Sequence, residues 1–186
     1  DLSAGDEKGA ETKARREYDA LHKLQLYQWA PRILDSYQTA PGYAGEMFFF
    51  TVVDPAAPCI EERASDVSWN TTARLAFARS TVRALEELHG VRSGDEPVVH
   101  RNLTPKTILV KHDNSPILTG FERAKMPTGS SVASSEAPAG GWDIAVAPEV
   151  SSQGLSAADC RSDIYSLSAS LISLFQLRED TDSRRA

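Results

Sequence analysis

Two helices with a regular apolar spacing constrain the fold of this chain more than any other feature. In residues 71–89, apolar and small side chains recur every three or four positions, namely Leu75, Ala78, Val82 and Leu85, with Phe77, Thr81 and Leu88 beside them. Residues 163–175 repeat this spacing with Ile164, Leu167, Leu171, Leu174 and Phe175. Each segment predicts a helix with a wide buried face that must pack against other parts of the chain.

Shorter segments around these helices predict a mixed α+β fold. The amphipathic spacing of residues 11–24 predicts another helix, which residues 25–30 interrupt. Residues 32–37 and 47–53 are rich in β-branched and aromatic side chains and predict two antiparallel strands. The turn residues between these strands are Pro41, Gly42 and Gly45. Short apolar pieces predict further strands at 98–99, 108–110 and 116–118, and the Ser-, Ala-, Gly- and Pro-rich residues 127–141 predict a mobile loop.

The composition disfavours several classes of protein. The 186 residues carry a net charge of −6, and their basic side chains are mixed with acids, so we expect no nucleic-acid partner. No apolar run approaches the roughly 18 residues of a membrane span, and the first dozen residues are charged and small, unlike a signal peptide. The two cysteines lie far apart and form no metal-binding pair. A cytoplasmic protein with no membrane partner is the resulting prediction.

The segment 98–110 carries the most specific motif. Its sequence, Val-Val-His-Arg-Asn-Leu-Thr-Pro-Lys-Thr-Ile-Leu-Val, resembles the catalytic loop of eukaryotic-type protein kinases, H-R-D-L-x-x-x-N followed by an apolar strand. Gly-Phe-Glu at 120–122 stands where that family has its D-F-G motif. Ala-Pro-Glu at 147–149 repeats the A-P-E motif, and residues 161–167 resemble the start of the family's helix αF.

Upstream segments follow the same family order. Residues 16–21 resemble helix αC, and the segments at Ile33 and Phe48 resemble the fourth and fifth strands of the small lobe. Thr51 then falls at the gatekeeper position and 52–54 at the hinge. The resemblance thus implies a protein kinase-like α+β fold with part of the small lobe in residues 14–54 and the first half of the helical large lobe in residues 55–177. A polar N-terminal segment, 1–13, and a polar tail, 178–186, flank them.

At the positions that the resemblance makes catalytic, the side chains that phosphoryl transfer requires are absent. Asn102 replaces the catalytic base, and an amide cannot accept a proton at neutral pH. Thr107 and Gly120 replace the two metal-binding residues and leave no anionic ligand there. Thr104 stands where many members have a phosphate-contacting lysine. We therefore expect no functional catalytic residue, no metal site and no required cofactor.

Other family positions keep residues suited to a structural role. The resemblance assigns Leu21, His100 and Phe121 to a hydrophobic column, and it assigns Asp163 to the anchoring of the catalytic-loop backbone. Further structural positions are Glu17, Arg101 and Glu149, although Glu17 has no lysine partner in this chain and is expected to be a solvated helix residue. The residues that would line a nucleotide cleft are Thr51, Val52, Val53 and Leu109.

A retained frame with lost chemistry predicts a pseudokinase, that is, a catalytically inactive kinase-like module that binds or regulates within a larger protein. Its partners would be another protein or other domains of the same chain, and binding of ATP without magnesium stays open. One alternative is a divergent active Ser/Thr protein kinase in which Glu122 or Asp113 replaces a metal ligand. A second alternative is a structural spacer whose cleft binds no nucleotide.

Overall fold

Helices and short antiparallel hairpins alternate along the chain. The structure is a computed structural model that describes residues 4–38, 49–53, 57–93, 96–126 and 145–182. In chain order, the described elements are α1 (Ala4–Leu24), β1 (Ile33–Gln38), β2 (Phe49–Val53), α2 (Ile60–Ala64), α3 (Thr71–Gly90), β3 (Arg92–Ser93), β4 (Glu96–Pro97), β5 (Ile108–Val110), β6 (Pro116–Leu118), the 3-10 helix η1 (Phe121–Arg123), α4 (Pro148–Gln153), the 3-10 helix η2 (Leu155–Ala157) and α5 (Cys160–Asp182). The predicted α+β class is confirmed.

The strands form three separate two-stranded sheets within the described residues. β1 pairs with β2 in antiparallel register, with Tyr37 opposite Phe50, as predicted. β5 and β6 form a second predicted hairpin, whose turn contains Asn114 at a left-handed φ of 59°. The predicted strand at 98–99 is wrong, because Val99 makes only an isolated bridge to Lys125. The turn residues between β1 and β2, the hinge residue Asp54, Phe48 and the predicted loop 127–141 lie outside the described residues.

Both terminal helices are longer than their apolar spacing predicts. α1 begins at Ala4 rather than at residue 11, so most of the polar segment 1–13 is helical. α5 continues to Asp182, so the start of the predicted polar tail is helical as well. Ala, Glu, Lys and Arg have high helix propensity, and a helix can therefore extend past the point where its apolar stripe ends. The predicted break at 25–30 is confirmed.

The buried face of α3 agrees in part with the predicted one. Phe77, Thr81, Leu85 and Leu88 are buried as predicted, whereas Leu75 and Val82 are 50% and 52% exposed. Arg74 and Ala84, which were not predicted, complete the buried stripe. α5 buries Leu167 and Leu174 as predicted, but Ile164 is 53% exposed.

One hydrophobic core connects α1, α3, the β5–β6 hairpin, η1 and α5. Its largest buried side chains include Leu24, Trp69, Phe77, Ile108 and Phe121. The segment after α1 is fixed to this core by the Trp29 indole, whose Nε1 donates to Glu87 Oε2 of α3 at 2.7 Å. A smaller cluster, Ala147, Val150, Leu155 and Ala158, packs beneath α4 and η2. In the described part of the chain, no helix is both long enough and apolar enough to cross a membrane.

Candidate functional site

Asp163 ties the loop after β4 to the start of α5. Its carboxylate is 1% exposed and accepts hydrogen bonds from the backbone N–H groups of His100 and Arg101, at 2.7 and 2.8 Å. The imidazole Nε2 of His89, at the end of α3, lies 2.9 Å from Asp163 Oδ2. A buried carboxylate with three polar partners fixes the backbone of this loop. Arg101 adopts a left-handed φ of 65° directly after the anchored His100.

His100 connects this loop to η1 by packing. Its fully buried ring lies 4.5 Å from the Phe121 ring, centroid to centroid, and Phe121 belongs to the same core as Leu21 of α1. Burial lowers the pKa of His100 to about 4, although the nearby Asp163 carboxylate opposes the shift. The imidazole is therefore neutral at neutral pH, and its Nδ1 accepts the backbone N–H of Asn102 at 3.3 Å.

The amide of Asn102 faces the turn that resembles D-F-G. Asn102 Nδ2 donates to Glu122 Oε1 at 2.9 Å and to the backbone oxygen of Gly120 at 3.3 Å. An amide N–H₂ is a donor only, and a carboxylate is an acceptor only at neutral pH, so the pair is chemically complementary. The amide at the predicted position of the catalytic base is thus hydrogen-bonded to a carboxylate of the same chain.

Thr107, at a predicted metal-binding position, forms hydrogen bonds with the backbone of the same loop. Its hydroxyl donates to the backbone oxygen of Asn102 at 2.7 Å and accepts the backbone N–H of Thr104 at 2.9 Å. The Thr104 hydroxyl accepts the backbone N–H of Lys106 at 3.3 Å. Both threonine hydroxyls are therefore hydrogen-bonded to the backbone of their own loop.

Gly120, at the other predicted metal-binding position, has no room for a side chain. It adopts a φ of +81°, a region that residues with a Cβ rarely occupy. A Cβ at this position would lie 2.9 Å from Asn102 Nδ2 and 2.9 Å from Thr107 Cγ2. The three positions that the resemblance makes catalytic or metal-binding thus meet at one point, and the side chains of Asn102 and Thr107 fill the space next to Gly120.

Glu17 of α1 also reaches Gly120. Its side chain is half-buried rather than solvated, which corrects the expectation from the sequence. Burial raises the pKa of Glu17, and the charge of Glu122 raises it further, whereas a hydrogen bond from the backbone of Gly120 opposes the shift. The Glu17 carboxylate therefore lies close enough to Glu122 to be affected by its charge.

The remaining predicted residues lie on four different segments of the chain. Glu149 accepts the hydroxyl of Ser162 at 2.6 Å, and this hydrogen bond lowers the pKa of its carboxyl. Arg101 is half-buried, and burial lowers the pKa of its guanidinium. Leu109 is half-buried in β5 opposite Ile117. Thr51, Val52 and Val53, predicted to line a nucleotide cleft, lie in β2, whose backbone pairs with β1.

The exposed Asp113 stabilises its own turn. Its Oδ1 accepts both the backbone N–H and the hydroxyl of Ser115, at 2.9 and 2.6 Å. Across the described residues, no group of three His, Cys, Asp or Glu side chains could hold a metal ion. His89 was not predicted as a partner of Asp163. The two residues are 74 positions apart, and no spacing rule in the sequence connects them.

Comparisons with known proteins do not assign a family. A scan against protein-family models finds no match, and a search of curated proteins finds none either.

Proposed function

We propose that this chain is a catalytically inactive protein kinase-like module, a pseudokinase, which acts by binding or regulation. The observation that carries the proposal is the meeting of Asn102, Thr107 and Gly120. Neutral groups stand at all three positions, and an added Cβ at Gly120 would lie 2.9 Å from two side chains. A kinase-like fold is supported by the motif order and by the hydrogen bonds from the 98–107 loop to Asp163.

Phosphoryl transfer explains why these three positions matter. The reaction depends on metal ions that neutralise the phosphates and on a carboxylate that accepts the proton of the substrate hydroxyl. Asn102 directs an N–H donor toward Glu122, and the Thr107 hydroxyl is engaged by its own backbone. Loss of a complete catalytic unit costs on the order of 10⁴ to 10⁶ in rate, so turnover would fall far below that of an active kinase.

The proposal is tested by incubating the chain with γ-labelled ATP, with and without Mg²⁺, and with a generic Ser/Thr protein substrate. We expect no Mg²⁺-dependent label on the chain or on the substrate. The second candidate is a divergent Ser/Thr kinase, which the position of the Glu122 carboxylate beside Asn102 favours. Metal-dependent transfer that is abolished by Glu122→Gln would support that candidate and refute the pseudokinase.

Thermal unfolding separates a nucleotide-binding module from a spacer. A ligand that binds only the folded state raises the melting temperature. If ATP without Mg²⁺ raises the melting temperature, the module binds nucleotide and addition of Mg²⁺ gives no further increase. If neither ATP nor Mg-ATP changes the melting temperature, the cleft binds no nucleotide, as expected for a spacer.

A further inference from the structure

An open groove of about 380 Å³ lies between α3 and α5. Val82 of α3 and Ile164 of α5 line this groove, and both side chains are half exposed to solvent. Residues 164–177 of α5 contain no Asp, Glu, Lys or Arg, and Tyr165 and Ile172 are exposed on the same helix. An apolar patch of this kind on a folded domain is typical of a surface that contacts another protein.

The exposed side of α3 beside this groove carries opposite charges around an apolar centre. Leu75, Arg79, Val82 and Glu86 are three or four positions apart, so they lie on one face of the helix, and all four are exposed. Gly90 continues this face toward the end of α3, where an added Cβ would meet nothing within 4 Å. We call these five residues the α3 stripe. Its order is apolar, basic, apolar, acidic and open.

This order is self-complementary when two α3 stripes meet in antiparallel orientation. A twofold axis just after Val82 places Arg79 of each copy opposite Glu86 of the other, because the two residues lie equally far from the axis on opposite sides. The same axis places Leu75 of each copy opposite Gly90 of the other, where the groove is lined by a residue without a side chain. In a twofold contact one surface must supply both members of every pair, and the α3 stripe does so.

Arg79 and Glu86 are not placed to form an ion pair within one helix. Such pairs join residues three or four positions apart, whereas these two residues are seven positions apart, about 10 Å along the helix axis. A second copy supplies each of them with the opposite charge. The apolar Val82 lies between the two ion pairs and meets its own counterpart across the axis.

We propose that two copies of this chain pair through the α3 stripe, and that the groove between α3 and α5 of each copy receives Leu75 of the other. Charge complementarity selects a second copy as the occupant, because the stripe matches itself in a single antiparallel register. The pairing goes beyond the proposed function and does not depend on it. Exposed ion pairs contribute little to affinity, so we expect reversible pairing and a monomer at low micromolar concentration.

Sedimentation equilibrium of the full chain at low ionic strength, from low to high micromolar concentration, tests the pairing. We expect the mass to rise with concentration from the 20.3 kDa of the monomer toward that of a dimer. Arg79→Glu places two acids opposite each other at both ends of the contact and should weaken dimerisation by about tenfold. Glu86→Arg should weaken it similarly. The double exchange Arg79→Glu with Glu86→Arg restores both pairs and should return the dissociation constant to within about threefold of the original.

Arg32→Glu is the matched control, since Arg32 is exposed outside α3 and its replacement changes the net charge equally. It should leave the dissociation constant unchanged. Thermal unfolding at low micromolar concentration verifies that each variant is folded as a monomer. A monomeric mass at every concentration refutes the pairing. So does a double exchange that dimerises no better than the single variants, or an effect of Arg32→Glu equal to that of Arg79→Glu.

Discussion

At the scale of single residues, a substitution at Gly120 tests whether Asn102 and Thr107 fill the space beside it. Its φ of +81° already disfavours any Cβ, and the added atom would press on Asn102 and Thr107. We expect Gly120→Ala to lower the free energy of unfolding by about 2–4 kcal/mol, from backbone strain together with overpacking. Urea denaturation of the variant measures this change.

Gly90→Ala is the control for this experiment, because a Cβ at Gly90 meets nothing within 4 Å. That substitution should change stability by less than about 1 kcal/mol. Thr107→Ser removes one of the two contacts and should recover part of the loss caused by Gly120→Ala. An equal loss for the two glycine variants would mean that the space around Gly120 is open.

The sequence identified residues 102, 107 and 120 through a motif, but it did not predict that they touch. Their contact depends on the left-handed backbone at Gly120 and on the direction of the Asn102 amide across a turn. The pairing of Asn102 with Glu122 was also not predicted, although both residues were singled out. A motif fixes the residue type at a position, whereas side-chain direction comes from packing between segments that are distant in the chain.

At the scale of elements, Arg74 connects α2, α3 and α5. Its buried guanidinium donates through Nε to the backbone oxygen of Trp69 and through Nη2 to that of Ala64, both at 2.7 Å, and through Nη1 to the backbone oxygen of Leu174. Its Cζ also lies 5.0 Å from the centre of the Trp69 ring. We expect Arg74→Met to cost about 3 kcal/mol of unfolding free energy, because buried carbonyl groups lose their donors.

Arg79→Met provides the comparison, since Arg79 is exposed on the same helix and its loss should cost less than about 0.5 kcal/mol. Arg74→Lys should recover only part of the stability, because one ammonium cannot reproduce the planar fork of a guanidinium. Equal effects of Arg74→Met and Arg79→Met, measured by urea denaturation, would contradict the connecting role of Arg74.

Arg74 also explains why the buried face of α3 was predicted only in part. The apolar spacing included Leu75 and Val82, which are half exposed, and did not include the buried Arg74. The helix is rotated so that Arg74 points inward and finds backbone acceptors on neighbouring elements. Element type followed from periodicity, but the orientation depended on a polar interaction that periodicity cannot register.

At the scale of the whole molecule, the buried His100 and the half-buried Glu17 give stability two opposed dependences on pH. The pKa of His100 is lowered from 6.5 to about 4 by burial, so the unfolded chain binds a proton that the folded chain does not. Stability therefore falls as the pH drops from 6.5 toward 4, by an amount on the order of 3 kcal/mol. Glu17 acts in the opposite sense: burial raises its pKa above 4.5, so its contribution to stability is present below 4.5 and is lost as the pH rises through the raised value.

These opposed effects predict an order among variants when unfolding free energies are measured between pH 7 and pH 5. His100→Gln should be less stable than the unmodified chain at pH 7 but should lose less stability in acid, because the titrating imidazole is gone. Phe121→Leu removes packing from the same ring contact without removing a titratable group, so it should lower stability at every pH with an unchanged slope. The unfolding free energy of Glu17→Gln should fall more steeply toward pH 5 than that of the unmodified chain, because the variant retains His100 and lacks the carboxylate whose titration opposes it. A His100→Gln slope equal to that of the unmodified chain would show that this imidazole does not control the acid sensitivity of the fold.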